Sequence, residues 1–238
     1  LRTGEAAADE LEYVYEALRL TRAALNGRVP LIGFAGAPFT IFAYMVEGSG
    51  SKTFSKAKKM LYREPAMAHA LLQKITDATI AYLRRQVAAG AQLIQVFDSW
   101  AGVLSTADFE AFSLPYMAQI SRALQPLAPT TLFAKDAYFS LPAIAATGCN
   151  VVGLGWSVDP KTARQMLGNQ TVVQGNADPC LLYADTATIQ AQTRQMLAGF
   201  GRHHIANLGH GVYPDTPLDG VRAFIDAVRS FSYAEAGL

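Results

Sequence analysis

Six short apolar runs, separated by longer segments of helical periodicity, constrain the possible fold of this chain more than any other feature of its sequence. Continuous apolar runs indicate strands that are buried on both faces, which is typical of parallel sheets. A strand, a short loop and a helix, repeated along the chain, predict parallel βαβ units. The predicted strands are residues 29–37, 91–99, 131–136, 150–156, 171–176 and 204–210.

Capping signals mark the starts of several helices between these runs. "STAD" at 105–108 predicts a capping box. "VDP" at 158–160 and "ADP" at 177–179 each place an aspartate at the N-cap and a proline at the first helical position. "DTP" at 215–217 predicts the same arrangement, with Thr216 as the N-cap residue.

The number of repeats favours a TIM-type barrel. A closed (β/α)8 barrel has eight strands and typically ~250 residues. Six strands preceded by a helix therefore predict an α/β fold, a (β/α)8 barrel that here lacks its first strands, with residues 1–238 forming a single domain. An open doubly wound sheet fits the alternation almost as well. The sequence has no GxGxxG or GxxxxGK[ST] motif after a strand, so the usual dinucleotide and phosphate-loop fingerprints are absent.

Composition narrows the class of protein. Hydrophobic residues make up 51% of the chain and charged residues 16%, which is typical of a globular protein with a large core. A net charge of +1 gives no field that would attract nucleic acid or an anionic membrane, and no apolar run approaches the ~18 residues of a membrane helix. We therefore expect neither partner. The absence of a visible signal peptide and the presence of only two cysteines predict a cytoplasmic location.

Candidate functional residues lie where the predicted strands end, because active sites of parallel barrels lie at that face. Tyr44 follows the first strand, Phe97, Asp98 and Ser99 end the second, and His210 ends the sixth between two glycines. Glycine lets other groups approach closely, so we interpret these glycines as giving a ligand access to the imidazole. Neighbouring strand residues point to opposite faces, and we interpret Asp98 as a structural hydrogen-bonding residue for a neighbouring loop.

Metal and nucleophilic chemistry are both disfavoured. His204 and His210 stand roughly 20 Å apart on one strand and cannot share a metal ion. Cys149 precedes a strand and Cys180 lies in the first turn of a helix, so the three or four close ligands of a zinc site cannot be assembled. No GxSxG motif surrounds Ser99, which disfavours a serine nucleophile. We expect no metal.

Cations are scarce in the segments that follow the strands. Besides the histidine, Lys52 and Lys135 are the only basic side chains there, and the arginines lie in helices or near strand starts. A highly anionic ligand would therefore find few partners in these segments.

Several motifs, taken in order, resemble the uroporphyrinogen decarboxylase family between about residue 11 and residue 231. They include "PLIGFAGAPFTIFAYMVEGSGSKTF", "QVFDSWAG", "LFAKD", "QGNADP" and "NLGHGVYPDTP". The resemblance implies a (β/α)8 barrel, of which this chain holds the C-terminal two thirds, usually in a homodimer without metal or organic cofactor. It implies removal of carbon dioxide from the four acetate side chains of uroporphyrinogen, which yields coproporphyrinogen in haem and chlorophyll biosynthesis.

The resemblance also implies roles for individual residues. Tyr44, Ser99 and His210 would bind substrate, Phe97 would line the cleft, and His210 and Tyr44 would act in catalysis by holding substrate carboxylates. The family's N-terminal motif with two substrate-binding arginines, and its central aspartate, are not in this sequence. Two alternatives therefore stay open: a barrel like the corrinoid and coenzyme M methyltransferases, and a non-catalytic remnant that only binds a tetrapyrrole.

Overall fold

All six predicted strands are present in the computed structural model, which describes residues 1–2 and 4–237. The residues divide into two compact units, Leu1–Asn150 and Val151–Leu238. The strands of the first unit are β1 (Ile32–Gly36), β2 (Leu93–Asp98) and β3 (Thr130–Ala134). Those of the second unit are β4 (Val151–Gly153), β5 (Val173–Ala177) and β6 (His204–Leu208).

Helices follow the strands as the alternation predicts, and none of the described helices is both long enough and apolar enough to cross a membrane. In the first unit they are α1 (Glu5–Ala8), α2 (Glu12–Leu25), α3 (Pro38–Glu47), α4 (Ser55–Arg63), α5 (Pro65–Ala88), α6 (Thr106–Phe112), α7 (Leu114–Leu124) and α8 (Leu141–Ala145). In the second unit they are α9 (Pro160–Leu167), α10 (Thr186–Phe200) and α11 (Leu218–Arg229).

The first unit is a parallel sheet with a core between its strands and its helices. β1 pairs with β2 and β2 pairs with β3, all in parallel. Ile94 and Val96 of β2 are fully buried, and the carboxylate of Asp98 reaches a residue of α3. Since side chains alternate along a strand, the intervening residue Phe97 lies on the opposite face of the sheet. The two faces therefore differ: one carries the core and the other carries aromatic residues.

The second unit repeats this arrangement with β4, β5 and β6 in parallel. The amide of Asn176 donates to the carbonyl oxygens of Gly155 and Val158, at 2.9 and 2.6 Å. The Arg164 guanidinium donates to several carbonyl oxygens, among them that of Thr171 at 2.7 Å. These side chains fasten the loops around the strands because each satisfies backbone groups that no strand or helix pairs.

Two of the four predicted helix N-caps are confirmed. Ser105 accepts a hydrogen bond from the Asp108 N–H, and Asp159 caps α9, with Pro160 at the first helical position. Asp178 caps a 3₁₀ turn, Pro179–Tyr183, instead of an α-helix. The prediction for Thr216 was wrong: its hydroxyl accepts from the Tyr213 N–H at 3.0 Å, a local turn that competes with helix capping.

A glutamine closes the outer edge of β1. Among the described residues of the first unit, no strand pairs with this edge, which agrees with a barrel that lacks its first strands. The Phe34 N–H donates to Oε1 of Gln86, and Nε2 of Gln86 donates to the Phe34 carbonyl oxygen, both at 2.9 Å. Gln86 lies on α5 and is only 2% exposed. Its amide therefore takes the place of a neighbouring strand at one residue of the edge.

Replacing Gln86 by leucine is expected to destabilise the protein by about 2 kcal/mol, because it leaves the Phe34 N–H and carbonyl without partners. It is also expected to increase self-association, since an open strand edge accepts other chains. Urea unfolding and analytical ultracentrifugation measure the two effects. Gln192→Leu, at an exposed position of α10, is the matched control. A Gln86→Leu protein as stable and as monodisperse as this control would contradict the role given to the amide.

Candidate functional site

A row of three phenylalanines crosses the strands of the first unit on the face opposite the buried core. The Phe34 and Phe97 ring centroids lie 6.1 Å apart, and so do those of Phe97 and Phe133, in both cases edge to face. Phe34 is 61% exposed, whereas Phe133 is buried. Edge-to-face contacts fix the orientation of each ring relative to the next. The row is therefore an ordered apolar surface, and it is accessible at its β1 end.

Tyr44 is held by two other aromatic rings in the same unit. It lies in the second half of α3, and its ring contacts Phe54 and Trp100 edge to face, with centroids 5.9 and 6.1 Å away. Phe54 and Trp100 contact each other at 4.5 Å. Trp100 comes two residues after the end of β2, so the contact brings a helix residue to the carboxyl end of that strand. Tyr44 stays 42% exposed and can reach a ligand.

The loop that precedes α4 positions Phe54. Its backbone is in the left-handed region, with φ 48°, and its N–H donates to the Ser51 hydroxyl at 3.0 Å. The Phe54 side chain is fully buried. The serines and glycines of this loop thus serve to turn the chain so that Phe54 packs under Tyr44.

Asp98 is a structural residue that bonds a neighbouring loop, as predicted, because its carboxylate accepts from the Trp100 backbone N–H, and it has two further partners that the sequence did not indicate. The carboxylate is fully buried and accepts from the Thr40 hydroxyl at 2.7 Å and from the Ser113 hydroxyl at 2.5 Å. Thr40 lies in the first turn of α3, and Ser113 lies between α6 and α7. Burial raises the pKa of Asp98, although these hydrogen bonds act in the opposite direction. Ser99, half-buried, follows directly.

His210 is exposed and follows β6 in the second unit. The glycines on its two sides have different surroundings. A Cβ atom at Gly209 would overlap the backbone of Trp156 and Gly155, whereas a Cβ at Gly211 would have no neighbour within 4 Å. The Gly209 N–H also donates to the Ala177 carbonyl at 2.8 Å. Backbone packing, and not ligand access, therefore explains the glycine before the histidine.

The segment after His210 is fixed by its own polar contacts. The Tyr183 hydroxyl donates to Asp215 at 2.6 Å, and this hydrogen bond raises the pKa of Tyr183. The Tyr213 N–H is bonded to Thr216, as described above. His210 is thus carried on a loop that is tied at its far end, with its imidazole open to solvent.

Two other histidines make contacts that serve the structure. His69 is exposed, and its ring stacks on Phe112 at 4.6 Å and bonds the Tyr116 hydroxyl at 2.7 Å. His204 is the first residue of β6, and its Nε2 lies 2.5 Å from the Gly175 carbonyl oxygen. Burial lowers the pKa of His204. In the part of the chain that the structure describes, no three His, Cys, Asp or Glu side chains cluster as metal ligands; the expectation of a metal-free site stays a prediction.

The predicted site residues fall in both units: Tyr44, Phe97 and Ser99 in the first, His210 in the second. Within the first unit, the structure brings Tyr44 to Trp100, the residue after Ser99, and places Phe97 in the centre of the phenylalanine row. The sequence analysis missed Phe34, Phe54, Trp100 and Phe133. For Phe34 and Phe133 a signal existed, because each lies in a predicted strand that neighbours the strand of Phe97.

Comparison with known proteins decides the family. The family model described as "Uroporphyrinogen decarboxylase (URO-D)" matches residues 1–231. The chain belongs to this family. Two relatives named uroporphyrinogen decarboxylase illustrate the likeness: that of Salinibacter ruber is 50% identical over 93% of this chain, and that of Homo sapiens is 49% identical over 98% of it. The matches cover 64% and 66% of those relatives, so the chain spans just under two thirds of their length.

Solved structures show the fold of this decarboxylase-family chain. A methyltransferase from Methanosarcina mazei matches with a TM-score of 0.81 and 24% identity, over 92% of this chain and 64% of that one. A B12-independent methionine synthase from Shewanella sp. W3-18-1 matches with a TM-score of 0.64 and 12% identity, over 90% of this chain and 66% of that one. These likenesses confirm the α/β, TIM-barrel-like fold class. The identity to the decarboxylases is about 50%, against 24% to the Methanosarcina mazei methyltransferase, so the methyltransferase alternative is not favoured.

Proposed function

We propose that this chain serves the cofactor-independent decarboxylation of the four acetate side chains of uroporphyrinogen, which yields coproporphyrinogen in haem and chlorophyll biosynthesis. Identities of about 50% to proteins of that name support the proposal. The structural observation that carries it is in the first unit, where an accessible row of phenylalanines and an exposed, aromatically held Tyr44 both lie near the end of β2. A large macrocycle with apolar pyrrole rings and carboxylate side chains matches this combination of apolar surface and hydrogen-bonding hydroxyl.

The chemistry of such a substrate needs no external electron acceptor. Protonation of a pyrrole carbon converts the ring into a cation, which accepts the electron pair released when the carboxylate of the acetate leaves as carbon dioxide. Protonation of the resulting exocyclic methylene and loss of the proton from the ring carbon then give the methyl group and restore the pyrrole, so that a proton replaces carbon dioxide overall. Groups that orient the carboxylates and stabilise the developing cation lower the barrier. The protein's part is therefore to hold the macrocycle and its side chains in a fixed orientation.

The proposal gives each residue one role. Phe97, flanked by Phe34 and Phe133, supplies the apolar surface against which the macrocycle packs. The Tyr44 and Ser99 hydroxyls donate to substrate carboxylates, with Tyr44 acting in catalysis by fixing the orientation of a reacting side chain. His210, in the second unit, is proposed to hold a carboxylate with its exposed imidazole, also as a catalytic residue.

Turnover tests the function directly. Uroporphyrinogen is incubated anaerobically with this chain, and with this chain joined to the part of the Salinibacter ruber relative that lies outside the match. Products are separated by chromatography after oxidation. Coproporphyrinogen from either protein supports the proposal. Absence of product from both proteins, each shown to be folded by circular dichroism, would overturn it and favour the non-catalytic alternative.

Replacing Tyr44 by phenylalanine is expected to lower kcat/KM about tenfold in whichever protein is active. The substitution removes one hydrogen bond to a charged group and keeps the ring that contacts Phe54 and Trp100. Tyr13→Phe, at an exposed position of α2, is the matched control. Equal activities of the two variants would remove Tyr44 from the proposed site.

The remaining expectations from the sequence are part of the same proposal: a single domain over residues 1–238, a homodimer and a cytoplasmic location. Light scattering during size-exclusion chromatography gives the oligomeric state. Fractionation of the source cells with an antibody against the protein gives its location.

A further inference from the structure

Lys135 lies just beyond the end of β3, on the face of the first unit that carries the phenylalanine row. Its N–H donates to the Asp98 carbonyl at 2.9 Å, which continues the parallel pairing of β2 and β3 by one residue. Side chains two residues apart on a strand share a face, so Lys135 lies on the same face as Phe133. Its side chain thus starts at the carboxyl end of the sheet, on the face that carries the phenylalanine row.

Lys135 keeps much of its capacity to bind an anion. Its Nζ lies 3.6 Å from the Asp136 carboxylate, a long ion pair whose acidic partner is 60% exposed. Such exposed pairs contribute little energy. The Lys135 side chain itself is 31% exposed. By contrast, the ammonium of Lys58 donates to the Val103 carbonyl at 2.6 Å and is already used by the fold.

The backbone around Lys135 is held in place. Asp136 is in the left-handed region, with φ 58°, and packs directly on Gly102. A Cβ atom at Gly102 would come within 2.5 Å of the Asp136 Cβ atom, so only glycine allows this approach. The lysine therefore starts from a fixed position, and its side chain alone has to adjust to a ligand.

We infer that Lys135 is a specificity-determining residue that binds a carboxylate of the tetrapyrrole ligand, and that Asp136 competes with the ligand for its ammonium. The inference rests on the proposed function and adds a cationic contact to the aromatic and hydroxyl contacts named there. An ammonium beside an apolar surface selects a ligand that combines a ring with carboxylates, because the salt-bridging hydrogen bond strengthens where water is partly excluded.

Binding of uroporphyrin, the oxidised and stable octacarboxylate, tests the inference without requiring turnover. Titration of the protein into the porphyrin is followed by the change in porphyrin absorbance. Lys135→Gln is expected to weaken binding about tenfold, the loss typical of a hydrogen bond between charged groups. Asp136→Asn is expected to tighten binding, because it removes the competing carboxylate, and asparagine tolerates the left-handed backbone. Lys59→Gln, at an exposed position of α4, is expected to have no effect.

The variants separate the possible outcomes. If the wild-type protein binds uroporphyrin and Lys135→Gln binds it equally well, the inference fails and the proposed function stands. If neither this chain nor its fusion with the Salinibacter ruber segment binds uroporphyrin, the inference fails, and the turnover experiment decides the proposed function separately. Should Lys135→Gln unfold, Lys135→Arg and Asp136→Asn decide the matter: the inference requires that Lys135→Arg retain binding and that Asp136→Asn bind more tightly than the wild type.

Discussion

Replacing Gly209 by alanine is expected to destabilise the second unit by about 3 kcal/mol or more. The added Cβ atom would overlap the Trp156 N–H and Cα and the Gly155 carbonyl carbon. These are backbone atoms, which cannot rotate away as the end of a flexible side chain can. Relief requires the loop after β4 or the end of β6 to move, and the latter would shift His210. Urea unfolding of the purified variant measures the loss.

The glycine on the other side of His210 is the natural control. A Cβ atom at Gly211 would meet no atom within 4 Å, so Gly211→Ala is expected to change the free energy of unfolding by less than about 1 kcal/mol. The pair tests whether one glycine serves packing and the other does not. Equal stabilities of Gly209→Ala and Gly211→Ala would refute the packing argument.

Replacing Asp98 by alanine is expected to cost about 3 kcal/mol at neutral pH. The substitution leaves the Thr40 and Ser113 hydroxyls without an acceptor in a fully buried place and creates a cavity between β2, α3 and α7. Asp98→Asn keeps the volume and one oxygen, and a hydroxyl can turn to accept from the new amide, so a loss near 1 kcal/mol is expected. Thermal and urea unfolding of the wild type, Asp98→Ala and Asp98→Asn rank the three proteins by stability.

The same carboxylate predicts a pH dependence with a definite sign. Burial raises the pKa of Asp98 above its ordinary value of 3.8, so the folded protein binds this proton more tightly than the unfolded chain does. Between the ordinary and the raised pKa, ionisation of Asp98 lowers the free energy of unfolding as the pH rises. Above the raised pKa the carboxyl is ionised in both the folded and the unfolded state, and the loss of stability is complete. The wild type should therefore gain stability relative to Asp98→Asn as the pH falls through that window. A constant difference would contradict the raised pKa.

The sequence by itself determined the order and type of the secondary structure. Each of the six apolar runs became a strand. The predicted burial on both faces holds for β3, β4 and β5, whereas β1 and β6 alternate between more and less exposed residues, so for these two strands that prediction was wrong. The capping box at 105–108 and the aspartate–proline pair at 159–160 acted as predicted, because their hydrogen bonds lie within one helical turn. The family resemblance likewise needed only the motifs in order, and the family model bears it out.

Only the tertiary structure decided what those residues contact. Thr216 is a residue type that commonly caps helices, yet its hydroxyl accepts from the Tyr213 N–H. Gly209 has to be glycine because it packs against the backbone of the loop after β4, more than fifty positions earlier in the chain. The Tyr44 ring contacts the Trp100 ring, and the Gln86 amide bonds the Phe34 backbone. The members of each pair are separated along the chain by a similar number of residues. Local patterns report the conformational preferences of neighbouring residues, whereas these contacts depend on how strands and helices pack. Residues distant in sequence acquire their partners only when the chain has folded.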